Sequence, residues 1–162
     1  MKTTQINLYE FDELSEDAKS KALNNHNENN DYYFLEENLN EYLRQLLEDN
    51  GIKGDAKLYY NLSYSQGDGV NFEGNFEYKN IYFDISQEGR CIEAQFDEDD
   101  ELKNDLIEVI EQDFKEIYAT ICDSVKKIGY SEIEYEQSEE NFKELCECNE
   151  YTFEIDGTMR NF

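Results

Sequence analysis

The spacing of apolar residues divides the chain into helical and extended segments. From Asp31 to Asp49 and from Leu102 to Ile128, apolar side chains recur every three or four positions, which is typical of helices that bury one face. Between these segments the period changes to two, which predicts strands. The order of the two patterns predicts an α+β fold, with an antiparallel or mixed sheet of about four to six strands packed by two to four helices.

Local signals set the bounds of the predicted helices. Ser15 precedes two acidic residues and can cap a helix that buries Ala18 and Ala22, while Asn50-Gly51 supplies a stop for the next helix. The third helix is long and acidic. The predicted helices run from Ser15 into the Asn-rich segment 24–30, from Asp31 to Asp49, from Leu102 to Ile128, and within 138–149.

Four consecutive antiparallel strands are expected in the middle of the chain, where Gln87-Glu88-Gly89 forms the turn of a hairpin. The segment 130–136 is expected to be a short strand or an extended link. The predicted strands are Thr4–Phe11, Ala56–Ser65, Val70–Lys79, Asn80–Ser86, Arg90–Phe96 and Glu150–Asp156.

Charge is the dominant feature of the composition. The 162 residues include 40 Asp and Glu but only 14 Lys and Arg, for a formal net charge of −26. Binding to nucleic acid depends on cations that neutralise phosphates, so direct contact with nucleic acid or with an anionic membrane is disfavoured. The charge instead favours a basic protein partner, with fast and salt-dependent association.

The composition is that of a folded chain, because 13 Tyr and 10 Phe supply large apolar side chains that disordered segments lack. Length and the absence of Pro predict a single domain over residues 1–162. A monomer or a dimer is expected, since Tyr-rich strands could pair at a sheet edge. No apolar run reaches the length of a membrane span, and the N-terminal residues do not resemble a secretory signal. We therefore expect a cytoplasmic protein, with its four cysteines reduced.

The Gly-rich stretch Tyr64–Asn75 is the most distinctive motif. In one interpretation, Ser65, Gln66, Asp68 and Glu73 display polar groups on a ligand-binding loop. In the other, the stretch is a hairpin in which Gly67, Gly69 and Gly74 adopt positive φ and Asp68 makes an Asx-type turn bond. The glycine spacing matches neither a phosphate loop nor a calcium loop, so the hairpin is favoured.

Neither catalysis nor metal binding has a supporting pattern. A chain with one histidine, His26, shows no Ser-His-Asp arrangement, and forty acids make chance proximity of carboxylates uninformative. Cys146 and Cys148 are spaced by one residue, which differs from zinc-binding pairs and places them on different sides of a helix. No catalytic residue, metal ligand or cofactor is predicted.

Three segments together carry a resemblance to a known family. The segments "YEFDELSEDAKSKAL", "YSQGDGVNFEG" and "NEYTFEIDG" occur in this order and span nearly the full chain. They resemble a family of small acidic bacteriophage-encoded proteins with a SQGDG-type motif and no assigned function. The resemblance implies a phage or prophage origin and action in the host cytoplasm, and it brings no active-site residues.

The leading hypothesis combines this resemblance with the charge. A helix studded with carboxylates can imitate the charge of duplex DNA, so the protein is expected to inhibit a host nucleic-acid-binding defence system, either a CRISPR effector or a restriction enzyme, by stoichiometric binding. The expected contact residues are Asp97, Glu98, Asp99, Asp100, Glu101, Asp105, Glu108, Glu111 and Glu116.

Two alternatives belong to other classes. The first is an antitoxin-like or regulatory interaction module that binds through an apolar surface. The second is a ligand-binding or hydrolytic protein that uses the Gly-rich loop. Salt dependence separates the leading hypothesis from the first alternative, and stabilisation by a nucleotide or a divalent ion would favour the second.

Overall fold

A computed structural model describes residues 6–95 and 101–160, without the side chains of 101–105. Its contacts form two compact units, which we name the sheet unit, Phe34–Ser131, and the split unit, Met1–Tyr33 with Glu132–Phe162. The described helices are α1 (Glu16–Asn27), α2 (Leu35–Asp49), α3 (Glu101–Glu136) and α4 (Glu139–Cys148). The described strands are β1 (Lys53–Gly54), β2 (Lys57–Asn61), β3 (Gly69–Tyr78), β4 (Ile81–Ser86), β5 (Cys91–Gln95), β6 (Thr152–Phe153) and β7 (Met159–Arg160).

The predicted α+β class is confirmed, with a main antiparallel sheet of five strands and a small sheet of two. In the main sheet β3 is central: β4 pairs with one edge of it, β1 and β2 share the other, and β5 follows β4 at the end. A two-residue turn joins β3 to β4, and its residues Lys79 and Asn80 both have positive φ, as this hairpin geometry requires. The predicted hairpin joins β4 to β5, with a loop of residues 87–90 instead of 87–89.

One face of the main sheet carries the core of the sheet unit. Alternate residues of β3 and β4 are buried, and Phe83 stacks on Phe114 of α3 with ring centroids 4.1 Å apart. Helix α2 contributes one buried stripe, as its period predicts, and stops at Gly51 with φ of 71°. The α2 stripe comprises Leu35, Leu39, Leu43 and Leu47.

A tyrosine hydroxyl completes the edge of β3 where its partner strand ends. The main-chain N–H of Phe72 donates to the Tyr118 hydroxyl oxygen at 3.2 Å, and that hydroxyl donates to the Phe72 carbonyl oxygen, also at 3.2 Å. Both main-chain groups of Phe72 point towards β4. Strand β4 ends at Ser86, one residue before the position that would lie opposite Phe72. Tyr118 is buried, so its hydroxyl replaces the hydrogen bonds that a longer β4 would have made.

The split unit packs α1 against α4 around aromatic rings. Phe11 meets Phe142 edge to face at 5.2 Å, and the main chains of Tyr9 and Phe153 exchange two hydrogen bonds of 2.9 Å. The predicted cap is confirmed, because the Ser15 hydroxyl accepts a hydrogen bond from the main chain of α1. The core of the split unit comprises Phe11, Leu14, Ala18, Ala22, Phe142, Cys146 and Phe153.

Several expected bounds are wrong. The segment 130–136 continues α3 instead of forming a strand or a link, because Ile133 keeps the helical register and is buried. The predicted end of α1 within the Asn-rich segment is confirmed, since the helix ends at Asn27. The predicted strand Thr4–Phe11 is reduced, within the described residues, to a bridge at Tyr9, and a 3-10 helix starts at Phe11. The single domain stays a prediction.

His26 gives the split unit a dependence on pH. Its ring stacks on Phe142 at 4.7 Å, its Nε2 atom is buried without a hydrogen-bond partner, and burial lowers the pKa of its imidazole despite the opposing effect of Glu136. Neutral His26 therefore stabilises the folded state fully above the unfolded pKa of about 6.5. Because the unfolded chain binds the proton more readily, this stabilisation is lost as the pH falls through the folded pKa.

His26→Phe tests this dependence, since phenylalanine keeps a ring against Phe142 and removes the titrating group. We expect the free energy of unfolding of the natural chain to fall relative to that of the variant between pH 7.5 and pH 5. Denaturant titrations at several pH values measure the difference. Parallel pH profiles for the two chains would contradict the assignment to His26.

Candidate functional site

The Gly-rich stretch closes the hairpin between β2 and β3. Asn61 of β2 and Gly69 of β3 form the last residue pair of the ladder, so residues 62–68 form the loop. The hairpin interpretation is confirmed in its main point and differs from the structure in its details. Gly67 and Gly74 have positive φ, whereas Gly69 does not, because it already lies in the extended backbone of β3.

Asp68 holds this loop together. Its carboxylate accepts hydrogen bonds from the main-chain N–H groups of Ser63 and Ser65 at 2.9 and 3.1 Å, and from both serine hydroxyls at 2.9 and 3.0 Å. The Tyr130 hydroxyl of α3 donates to the same carboxylate. Asp68 thus bonds to residues that precede it, unlike the expected Asx turn, and the loop is tied to the long helix.

The same contacts shift the pKa values of ionisable groups at the loop. Hydrogen bonds from Tyr130, Ser63 and Ser65 hold the pKa of Asp68 well below its usual range. The carboxylate in turn raises the pKa of Tyr130 to about 12. The ammonium of Lys126 donates to the Asp68 carbonyl oxygen at 2.9 Å. Since the hydroxyls donate to a carboxylate that stays ionised, this arrangement fixes the loop.

The four predicted loop residues do not form one site. Ser65 and Asp68 bond to each other, and Gln66 is exposed. Glu73 lies on β3, where it accepts hydrogen bonds from the Tyr59 hydroxyl and from the Glu88 main chain. Glu73 therefore connects β2 to the turn between β4 and β5, which is a structural role.

The acids of α3 differ from one another in their pairing. Glu108 and Glu116 are exposed, and Glu116 accepts a hydrogen bond of 2.9 Å from Gln112. Glu111 is half-buried and forms an ion pair with Lys115. Asp97, Glu98, Asp99 and Asp100 lie outside the described residues, and for Glu101 and Asp105 only the helical backbone is described.

The sheet also presents carboxylates, on the face opposite α3. There Asp84 of β4 stands directly across from Glu93 of β5, with Asn75 of β3 next in the same row. Neither carboxylate forms an ion pair with a Lys or Arg whose side chain the structure describes. Like charges in a directly opposed pair destabilise a sheet, so this pair carries a cost that a bound cation would remove.

Nearby groups on this face respond to the carboxylates. Cys91 donates a hydrogen bond from its thiol to Glu93 at 3.2 Å. This bond, burial and the charges of Glu93 and Asp84 all raise the pKa of the Cys91 thiol. Tyr82, in the adjacent row, exposes 60% of its surface. The open face is thus acidic, with one aromatic ring beside the acidic pair.

The split unit contains a cleft of about 460 Å³ at the contact of the 3-10 helix with α4. Its floor includes Phe11 and Cys146, which are buried, and Lys143 on its rim pairs with Asp12 at 2.6 Å. The other charged residues of its wall are Glu10, Glu147 and Glu150.

Two of the four thiols, those of Cys122 and Cys146, are protected by burial. Burial raises the pKa of Cys122 and Cys146 to about 11, and both remain protonated at neutral pH. Cys148 is exposed while Cys146 is buried, which confirms their predicted separation on α4. Among the described residues, no three His, Cys, Asp or Glu side chains are grouped closely enough to hold a metal ion.

None of the described helices combines the length and apolar composition that a membrane span requires. No family model, curated protein or solved structure matches this chain. The resemblance to small acidic phage proteins therefore stays a prediction. The acidic pair on the open face could not be read from the predicted turn at 87–89, because the loop has four residues, 87–90, and this longer loop sets the register that opposes Asp84 and Glu93.

Proposed function

We propose that this protein is a phage-encoded inhibitor that binds a basic, nucleic-acid-binding defence protein of the host, either a CRISPR effector or a restriction enzyme. The observation that carries the proposal is the excess of 26 negative charges on a folded chain of 162 residues. Such an excess destabilises the compact state through self-repulsion, and a basic partner would relieve that repulsion.

The exposed acids Glu108 and Glu116 of α3 do not reach the charge density of DNA by themselves. Glu108 and Glu116 are eight residues apart, which corresponds to about 12 Å along a helix, whereas duplex DNA carries one charge per about 1.7 Å. The proposed surface therefore combines the exposed acids of α3 with the cluster 97–101 at its start. The partner would be a channel lined with Lys and Arg, and binding would block its access to nucleic acid.

Affinity capture from a bacterial host at low ionic strength, followed by identification of the bound protein, tests the proposal. We expect a basic nuclease or effector subunit, whose affinity falls at least about tenfold between 50 and 200 mM salt. An uncharged partner, or an affinity that does not respond to salt, would overturn the proposal.

Charge reversal then locates the surface. Replacing Asp97, Asp99, Glu108 and Glu116 by Lys should weaken binding by about 100-fold or more. The matched control replaces the exposed residues Glu28, Glu37, Glu48 and Glu144 by Lys, which changes the net charge equally. Equal losses in both variants would show that general charge, and not the α3 surface, determines affinity.

A specific observation favours the second candidate, an interaction module with an apolar surface. Leu106 and Val109 lie one turn apart on α3, and each exposes more than 60% of its surface. Leu106→Ser with Val109→Ser would abolish binding through such a surface, and the affinity of the natural chain would survive added salt. The leading proposal expects a loss of less than about threefold from these two changes.

A further inference from the structure

The free edge of β5 ends the main sheet beside the acidic pair. In the described part of the chain no strand pairs with this edge, since β5 is the last member of the order β1-β3-β4-β5. Sheet edges are commonly protected by Lys, Pro or a bulge, and β5, with the sequence Cys-Ile-Glu-Ala-Gln, has no Lys or Pro.

The ladder determines which groups face outward. The two-residue turn after Tyr78 makes Tyr78 and Ile81 a hydrogen-bonded pair, and alternation then directs the main-chain groups of Tyr82, Asp84 and Ser86 towards β5. The main-chain N–H and C=O groups of their partners on β5, which include Glu93, already form hydrogen bonds with β4. The N–H and C=O groups of Ile92 and Ala94 therefore point away from the sheet.

We propose that this edge binds an extended segment of the basic partner as an additional strand. This inference rests on the proposed function and names the way in which the sheet unit contributes to it. A strand paired with Ile92 and Ala94 would place its intervening residue opposite Glu93 in a non-hydrogen-bonded pair, where side chains approach most closely. A Lys or Arg there would pair with Glu93 and offset its repulsion by Asp84.

Charge selects this occupant over a second copy of the chain. In a symmetric antiparallel pairing centred on β5, Glu93 would face Glu93 of the other copy, and each chain would add a net charge of −26. A basic segment reverses both effects. Its residues that bond to Ile92 and Ala94 need free N–H groups, so Pro is excluded at these alternate positions.

Two synthetic ten-residue peptides test the inference with the full chain. One alternates Lys with Thr, and the other alternates Lys with Pro, so that the positive charge is equal but the alternate N–H donors are missing. We expect saturating Lys-Thr peptide to slow hydrogen exchange of the Ile92 and Ala94 amides by about tenfold or more, and the Lys-Pro peptide to leave it unchanged.

Single variants provide a second readout. Ala94→Pro removes one outward N–H without changing charge, and the variant should fold because edge strands tolerate Pro. The loss of this donor should weaken Lys-Thr binding by about tenfold. Glu93→Lys should weaken it as strongly, whereas Glu48→Lys, a matched charge reversal at an exposed position of α2, should change it less than about threefold.

The outcomes separate this inference from the proposed function. Peptide binding that leaves the Ile92 and Ala94 amides unprotected, or equal binding of both peptides, overturns the added strand and leaves the acidic inhibitor intact. Dimerisation of the free chain with these amides already protected overturns it in favour of self-pairing. If neither peptide binds at low salt, and if the α3 charge reversals leave the affinity for the natural partner unaltered, both proposals are contradicted.

Discussion

Gly157→Ala is expected to destabilise the split unit by about 3 kcal/mol or more, because two separate costs add. Gly157 has φ of 83°, a backbone conformation that side chains disfavour. A Cβ atom there would lie 2.2 Å from the carbonyl oxygen of Ala18, which belongs to α1 and cannot move without breaking the packing of that helix. Thermal and denaturant unfolding of the variant measures the loss.

Gly51→Ala is the matched control. Gly51 has a similar φ of 71°, but no atom lies within 4 Å of the position that a Cβ would take. This variant pays only the conformational cost, about 1 kcal/mol. Equal destabilisation of the two variants would show that the contact with Ala18 has no energetic importance.

Tyr118→Phe is expected to cost about 3 kcal/mol, although it removes a single oxygen atom. The hydroxyl serves both main-chain groups of Phe72, and each buried group left without a partner costs about 1–3 kcal/mol. Burial also raises the pKa of Tyr118, so the hydroxyl keeps its proton and remains a donor across the neutral range. The free energy of unfolding should fall accordingly.

Hydrogen exchange provides the specific readout, because the Phe72 amide should become faster to exchange in the variant relative to its neighbours in β3. Tyr82→Phe is the control, since Tyr82 is largely exposed and its ring lies on the open face. An unchanged stability of Tyr118→Phe would mean that water replaces the hydroxyl at this edge.

The sequence predicted the four helices and the central strands, but not the shortest strands. The two-residue period of β3 and β4 survives intact in the structure, because alternate burial on one face leaves a direct signal. The segment 130–136 misled because alternating Ile and Tyr favour a strand locally, whereas tertiary packing of Ile133 extends α3. The two-residue strand β1 is too short for any period to reveal it.

The candidate site was predicted less fully than the fold. The opposition of Asp84 and Glu93 depends on the four-residue loop 87–90, whereas the predicted turn at 87–89 would place Asp84 opposite Ile92. The bond between Asp68 and Tyr130 spans 62 positions, and no local pattern indicates which tyrosine of thirteen would donate it. The predicted acids of α3 are confirmed as helical and exposed at Glu108 and Glu116, and their role stays a prediction.

The division into a continuous unit and a split one has a consequence for biosynthesis. Four successive strands of the sheet unit pair with their nearest neighbours along the chain, so loop closure costs little entropy and all its residues are made once Ser131 is translated. The split unit must join Tyr9 to Phe153 across 144 positions. On the ribosome, the sheet unit can therefore form first. Once it is folded, less unstructured chain separates the two segments of the split unit.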